Sequence, residues 1–251
     1  MNDSIWLIGS DFHIPYENKR YMDLWWRVQK WMNPDVIDIL GDLDDACPVS
    51  RYADGKPAEV IGAAATYAPL VQDFFKELRG NSPDAQIHFA TGNHEARYDD
   101  YIDRKAPAIS GLITPELLWK TDTYGIELSY YNNPPVHRFG DIYVHHGPYA
   151  LKNSGESVRK VIDEYQVSAI VGHSHRQASV FKTYELINEV RRGYELGHMT
   201  DITSPGMGYT ALHDWQPGFA VATIVNDYPH IDLVQISPDY KCVVFGKVFS
   251  A

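Results

Sequence analysis

The 251 residues carry a net charge of −11 with histidine neutral, which argues against a broad electrostatic grip on nucleic-acid backbone, since that needs a basic face. A hydrophobic content of 44% and a charged content of 22% are those of a globular chain with a sizeable core. No run of about 18 apolar residues is present to span a membrane. The opening MNDSIWLIGSDFH, with its early acid Asp3, reads as neither a signal nor a transit peptide. Cys47 and Cys242 lie far apart and in no CxxC pattern, so the expectation is a reduced, cytoplasmic protein.

In chain order, SIWLIGS reads as a short buried strand. Residues 18–32 place Tyr21, Leu24, Trp25, Val28, Trp31 and Met32 on one helical stripe. PDVIDIL is the next strand. Residues 58–79 read as helix, with Ile61, Ala64, Ala68, Val71, Phe75 and Leu78 on one side and Pro69 kinking or splitting it. AQIHFA is a third strand and GDIYVHHG a later one. GESVRKVIDEYQ is a helix with Val158, Val161, Ile162 and Tyr165 inward, and VSAIVGHSH comes next as a strand. From about residue 178, ASVFKTYEL, FAVATIV, HIDLVQIS and KCVVFGKV read as strands, with little helix. Strands feeding helices predict a parallel sheet with ligands at the strands' carboxyl ends, and the late strands predict a second sheet. No repeat, low-complexity tract or linker divides residues 1–251, which predicts one domain.

The residues at the end of each strand carry the chemistry. The first ends in DFH (Asp11, His13), the second in GDLDD (Gly41 to Asp45), the third in GNHE (Gly92 to Glu95), a fourth in HHG (His145 to Gly147) and a fifth in GHSH (Gly172 to His175). Each alone is an ordinary turn: Gly supplies positive φ, Asp bonds nearby backbone, Asn93 caps a helix. Together they gather Asp, Asn and His at one end of a sheet, a mixed O/N donor set that suits Mn²⁺, Fe, Zn²⁺ or Co²⁺ better than Ca²⁺ or a thiolate cluster.

The order D-x-H, GD-x-x-D, GNHE, HG, GH-x-H resembles the calcineurin-like metallophosphoesterase superfamily, with motifs spanning residues 11 to 175. The resemblance implies a four-layer αββα sandwich, two mixed β-sheets flanked by helices. It implies two divalent ions, Mn²⁺ foremost with Fe, Zn²⁺, Co²⁺ or Ni²⁺ as alternatives. Asp11, His13 and His175 would hold the first ion, Asp42 would bridge both, and Asn93, His146 and His173 would hold the second. Two such ions about 3.5 Å apart neutralise an anionic phosphate ester and acidify a bridging water to hydroxide. His94 matches the family's non-ligand histidine, a general acid or oxyanion stabiliser, and Asp45 is expected to hold its tautomer. Asn93, His94 and Arg97 are the expected substrate contacts, Arg97 alternatively pairing with Asp99 or Asp100. Glu95 would brace the site or form a salt bridge, Asp44 would lie in a solvated loop, and His145 would point away from the metals. His88, His137 and His230 read as structural. His198, His213 and Trp215 fall in late loops able to wall a pocket.

Departures from the pattern narrow the branch. Asp45 is succeeded by Ala46-Cys47, not by the Arg-Gly of the protein Ser/Thr phosphatases, and the purple acid phosphatase tyrosine is missing. GHSH resembles the phosphodiesterase, nuclease and nucleotide-hydrolase branches. The expected function is metal-dependent hydrolysis of a small phosphodiester or nucleotide, in a chain of phage or bacterial kind. A nuclease of the same superfamily is the alternative, although only Arg159-Lys160 and Arg191-Arg192 offer basic pairs and the net charge disfavours nucleic acid. A non-catalytic interaction module is the third reading. No membrane partner is expected, and the motifs do not encode the oligomeric state.

Overall fold

Buried strands whose side chains alternate between two covered faces become continuous apolar runs, and WLI at positions 6–8 illustrates it. In the computed structural model, which describes residues 4–53, 64–204, 207 and 214–251, Leu7 packs against helices while Trp6 and Ile8 face a second sheet. The first sheet has the order β11-β10-β1-β2-β3-β4. Strands β1 (Ser4–Gly9), β2 (Val36–Leu40), β3 (Gln86–Ala90) and β4 (Ile126–Ser129) run parallel, and β10 (Gly218–Val225) and β11 (Tyr228–Gln235) add antiparallel strands beyond β1. The second sheet takes β5 (Val136–Phe139), β6 (Ile142–His145), β7 (Ser168–Val171), β8 (Gln177–Tyr184) and β9 (Glu189–Leu196) in the order β5-β6-β7-β9-β8, with β6, β7 and β9 parallel.

Helices α1 (Lys19–Met32) and α2 (Ala64–Asn81) cover the outer face of the first sheet, where Leu24, Trp25, Val28, Val71 and Phe75 meet Leu7, Ile37, Ile39 and Phe89. Val36, Leu40, Val144, Ile170 and Leu196 fill the layer between the sheets. Helix α5 (Glu156–Tyr165) lays Val158 and Val161 on Ala169 and Val171 of the second sheet. The four-layer αββα expectation is borne out.

Several details differ from the sequence reading. Asn18 caps α1 through its side chain and Asn33 ends it in the left-handed region, but Trp31 is 43% exposed and lies against Phe249 rather than in the core. Helix α2 runs unbroken through Pro69. Pro69 stands in the second turn, so only the Ala65 carbonyl loses its partner. The predicted residues 58–63 lie outside the described residues, as does His213. KCVVFGKV is two strands, β12 (Lys241–Val244) and β13 (Lys247–Ser250), turned at Phe245 and Gly246 with φ of 47° and 77°, the two left-handed residues of a hairpin turn. Of helices α3 (Ala96–Lys105) and α4 (Pro115–Trp119), only a start for α3 after GNHE was expected, with Asn93 as its cap, whereas its N-cap is Glu95. The first buries only Tyr98 and Ile102, too few to print a stripe. Among the described residues, no helix is long and apolar enough to cross a membrane.

Candidate metal centre

Five strands, β1, β2 and β3 parallel in the first sheet and β6 and β7 parallel in the second, deliver the motifs to one place. Asp11 and His13 follow β1, Asp42 follows β2, Asn93 and His94 follow β3, His146 follows β6, and His173 and His175 follow β7. The loops hold one another through backbone: Asp11 N–H donates to Gly41 O at 3.0 Å, His13 N–H to Asp42 O at 2.8 Å and Gly172 N–H to His146 O at 2.8 Å. Each carboxylate also ties a neighbouring motif with one oxygen. Asp11 Oδ2 accepts from His173 N–H at 2.9 Å, and Asp42 Oδ1 accepts from His94 N–H at 3.0 Å. Asp11 Oδ1 and Asp42 Oδ2 are left to face the imidazoles. This crowding explains the motif glycines: a Cβ on Gly92 would run into Asp42 Oδ1, and one on Gly172 would strike Ser10 Oγ and Asp11 Oδ2. Asp11, His13, Asp42, His173 and His175 all sit at φ between 49° and 67°, a region that costs of order 1 kcal/mol or more for a residue with a side chain and that concentrates at functional sites.

Three groups of candidate donors result among the described residues: His13, Asp45 and His94 form one, and two others share Asp42. Of those two, Asp11, His13, Asp42 and His175 form the first, and Asp42, His146 and His173 the second, the ligand atoms of each lying within 4.8 Å of one another. In the first, His13 Nε2 faces His175 Nε2 at 3.1 Å, and His175 Nε2 stands 3.1 Å from Asp11 Oδ1. In the second, His146 Nε2 is ringed by Asn93 Oδ1 at 3.1 Å, His173 Nδ1 at 3.2 Å and Asp42 Oδ2 at 3.3 Å. All seven residues expected as ligands are therefore brought together.

The donor set fits divalent ions. His146 gives its Nδ1 proton to Leu40 O at 2.7 Å, and His13 Nδ1 faces the Asp45 carboxylate at 3.1 Å. In both rings the other nitrogen then turns its lone pair into the site, the arrangement in which a carboxylate or carbonyl orients a metal-ligating imidazole. Lone pairs facing lone pairs at such distances need a cation, or a shared proton, between them. Asp11 Oδ1 is buried without a hydrogen bond of acceptable geometry. Burial and the neighbouring His146 push His173 down to about 4. Burial also lowers His175, against the pull of Asp11. Both are thus neutral and able to ligate. His146 goes the other way: burial would lower it, but Asp42 outweighs that and raises it to about 9, so without an ion a proton occupies Nε2, and a bound ion would displace it. Burial raises Asp11 less than His175 and His146 lower it, leaving it at about 2.

Other expected residues are placed differently. Asp45 was expected to hold His94. Its carboxylate instead goes mainly to His13, and His94 Nδ1 donates to the Asp45 backbone carbonyl at 2.7 Å, with Asp45 Oδ2 at 3.4 Å. The αL residue Ala46 comes directly after, so the turn aims the carbonyl and the side chain of Asp45 at two different imidazoles. Arg97 pairs with neither Asp99 nor Asp100. It donates to Asp45 O at 2.9 Å and to His94 Nε2 at 2.7 Å. Asp44 is not solvated: it is fully buried and accepts from Tyr98 Oη at 3.0 Å, Trp119 Nε1 at 3.1 Å and Ala46 N–H at 2.8 Å, while burial raises it to about 6. Glu95 is a brace. It accepts from the backbone N–H groups of Gly92, Asp42 and Asp44 at 2.6, 2.9 and 2.8 Å, locking the second motif to the third. Burial and the Asp42 charge push it up to about 8 against those donors.

His145 lies outside all three donor groups and bonds Tyr131 O at 3.0 Å. His198 is buried beside His175, with ring centroids 5.7 Å apart, and burial pushes it down to about 3. Trp215 lies 4.2 Å from the His175 ring, edge to face. Tyr131 was missed. It lies just past β4, whose run GIELSYY was left unassigned although it ends beside the site as its neighbours do.

A four-layer α/β protein whose strand ends present carboxylate–imidazole donor groups around one shared aspartate has the donor chemistry of a divalent-metal site. Residues 6–225 match the family described as calcineurin-like phosphoesterase, and the chain belongs to that family. It is 24% identical over 240 residues to the Gene 54 protein of Mycobacterium phage L5, covering 92% of each chain. Among solved structures it resembles a single mutant of Vps29 from Entamoeba histolytica, with 15% identity, a TM-score of 0.48 and coverage of 98% and 96% of the two chains. It also resembles the nuclease MPE of Pseudomonas putida, with 14% identity, a TM-score of 0.40 and coverage of 90% and 87%.

Proposed function

We propose that the protein is a metal-dependent phosphoesterase acting on a small phosphodiester or nucleotide. The observation that carries this reading is the pair of donor groups sharing Asp42, with imidazole lone pairs and carboxylate oxygens converging at 3.1–3.3 Å. Asp11, His13 and His175 would hold one divalent ion and Asn93, His146 and His173 the other, with Asp42 within reach of both and Mn²⁺ the foremost candidate. Bound there, two ions supply the positive charge that neutralises phosphate oxygens and the acidity that makes water a nucleophile at neutral pH.

The chain's own groups do the rest. Asp45 and Leu40 O hold His13 and His146 with their lone pairs inward. His94, 3.7 Å from Asp42 Oδ2 through Nε2, has its Nδ1–H fixed by the Asp45 carbonyl, and once Arg97 leaves Nε2 that atom takes a proton from solvent water and hands it to the leaving oxygen. Substrate entry draws the Arg97 guanidinium from His94 Nε2 to a phosphate oxygen, where it serves as a charged, forked donor. The basic pairs give the nuclease alternative little support: Arg191 pairs with Glu189, Arg192 is buried on Asp141 and Lys160 pairs with Glu164, leaving Arg159 as the one of the four outside an ion pair among the described residues.

The test is turnover of bis(p-nitrophenyl) phosphate and p-nitrophenyl phosphate by the full chain, with Mn²⁺ and after chelation. Metal-dependent cleavage with diester preference is expected. Monoester preference moves the assignment to phosphatase chemistry, and protein that binds no metal overturns it.

A further inference from the structure

Tyr131 is held through both its backbone N–H and its C=O by residues that adjoin the donor groups. Its N–H donates to Thr91 Oγ1 at 2.8 Å, two positions before Asn93, and its C=O accepts from His145 Nε2 at 3.0 Å, one position before His146. His145 in turn accepts from Gly147 N–H at 2.9 Å through Nδ1, so its tautomer and ring plane are fixed. The Tyr131 ring lies near-parallel to His145 (27°, centroids 5.8 Å apart) and edge to face with His146 (67°, 5.8 Å). Tyr131 is only partly buried. A loop side chain is seldom so fixed, and rigid placement of an aromatic beside a reaction centre is what a binding wall requires. On the far side of the centre Trp215, also partly buried, takes the matching place against His175.

We propose that Tyr131 is a specificity-determining residue, its ring forming the wall beside the His146 group and stacking on a planar base or aryl group of the substrate. The substrate class is then a nucleotidyl phosphodiester rather than an ester of alkyl alcohols or sugars. This rests on the hydrolase reading above. It also gives a purpose to His145, which the metal pair does not use: it is a positioning residue for Tyr131. Base–aromatic stacking needs a π-face, not a hydroxyl.

The experiment compares two esters with the same leaving group, thymidine 5′-(p-nitrophenyl phosphate) and methyl p-nitrophenyl phosphate, on the Mn²⁺-loaded full chain. The readout is the ratio of their kcat/KM values, in which general damage cancels. Wild type is expected to favour the thymidine ester, Tyr131→Phe to keep the ratio and Tyr131→Leu to lower it roughly tenfold, mainly through KM. A wild-type ratio near one, or an unchanged ratio in Tyr131→Leu, overturns the proposal while the hydrolase reading stands. A ratio that falls in Tyr131→Phe as well assigns the effect to the hydroxyl and overturns the stacking role. Wild type that turns over neither ester overturns the hydrolase reading, and this one with it.

Discussion

Asp38 with His88, in the middle of β2 and β3, and Asp42 with His146, past the ends of β2 and β6, are both buried carboxylate–imidazole pairs. In the first, every polar atom of the pair is answered. Asp38 Oδ1 accepts from His88 Nδ1 at 2.6 Å and Arg138 Nε at 2.9 Å, Oδ2 accepts from Trp6 Nε1 at 2.7 Å, and His88 Nε2 meets Ser129 Oγ at 2.9 Å. The connectivity Asp38–His88–Ser129 is that of a nucleophilic triad, yet Arg138 and Trp6 saturate the carboxylate. The network is a brace tying β2, β3 and β4 to β5 of the other sheet. In the second, nitrogens and oxygens face one another without enough protons to go round. Satisfied networks rigidify a fold, and converging unsatisfied ones mark a place for a ligand.

Removing the key carboxylate from each cluster should therefore have opposite consequences. Asp42→Ala is expected to lose both ions and to drop turnover of bis(p-nitrophenyl) phosphate by about 10³-fold or more. Elemental analysis of the purified protein reads the first and a rate assay the second. Two retained ions would break the bridging assignment. His94→Ala separates metal from proton transfer. It should keep both ions and lose roughly 10²–10⁴-fold in kcat on an ester with a poor leaving group. Full activity there would remove His94 from the mechanism.

Asp38→Ala should leave metal content unchanged and lower unfolding free energy by roughly 3–5 kcal/mol, because Arg138 and His88 lose their buried partner. The pH dependence is set by the direction of the shift. Burial raises Asp38, but His88 and Arg138 outweigh it and hold it below the ordinary value. A depressed carboxylate adds stability that is complete above its unfolded pKa of about 3.9 and fades as pH falls through the folded one. The stability gap between wild type and Asp38→Asn, from urea unfolding, should be constant from pH 5 to 7 and shrink below about pH 4. A gap that widens in acid would reverse the assignment.

The contrast was half legible in the sequence. Four of the five strand-end motifs pair a Gly with Asp, Asn or His, and their position places the donors because parallel strands end together. His88, inside an apolar run, reads correctly as structural. Asp38, Arg138 and Ser129 gave no such signal, since their meeting depends on the register of β2, β3 and β4 and on how the second sheet lies across the first. Asp45 was named to hold His94, and it does so through its backbone carbonyl, while its carboxylate lies closer to His13 than to His94. Whether a carboxylate or a carbonyl reaches His94 is decided by one left-handed turn at Ala46, which a spacing rule does not see. Asp44 looked like loop acid because Tyr98 and Trp119, its partners, lie 54 and 75 residues away.

The smallest prediction reads the backbone alone. The donor loops hold His175 at φ 58°, where glycine is at ease and a Cβ is strained. His175→Ala and His175→Gly both remove the imidazole, the contact with Asp11 and the metal site it would complete, so their difference cancels those losses. In metal-free protein the glycine variant gains from released strain, about 1–3 kcal/mol, and loses from the greater freedom of its unfolded chain, about 0.5–1 kcal/mol. The expected balance is a glycine variant more stable than the alanine variant by about 1 kcal/mol in urea unfolding. The same pair at Ser129, in strand β4, should order the other way, because there glycine brings only the entropic loss. If alanine were the more stable at both positions, the left-handed turns would store no strain, and the geometry of the donor groups would owe nothing to it.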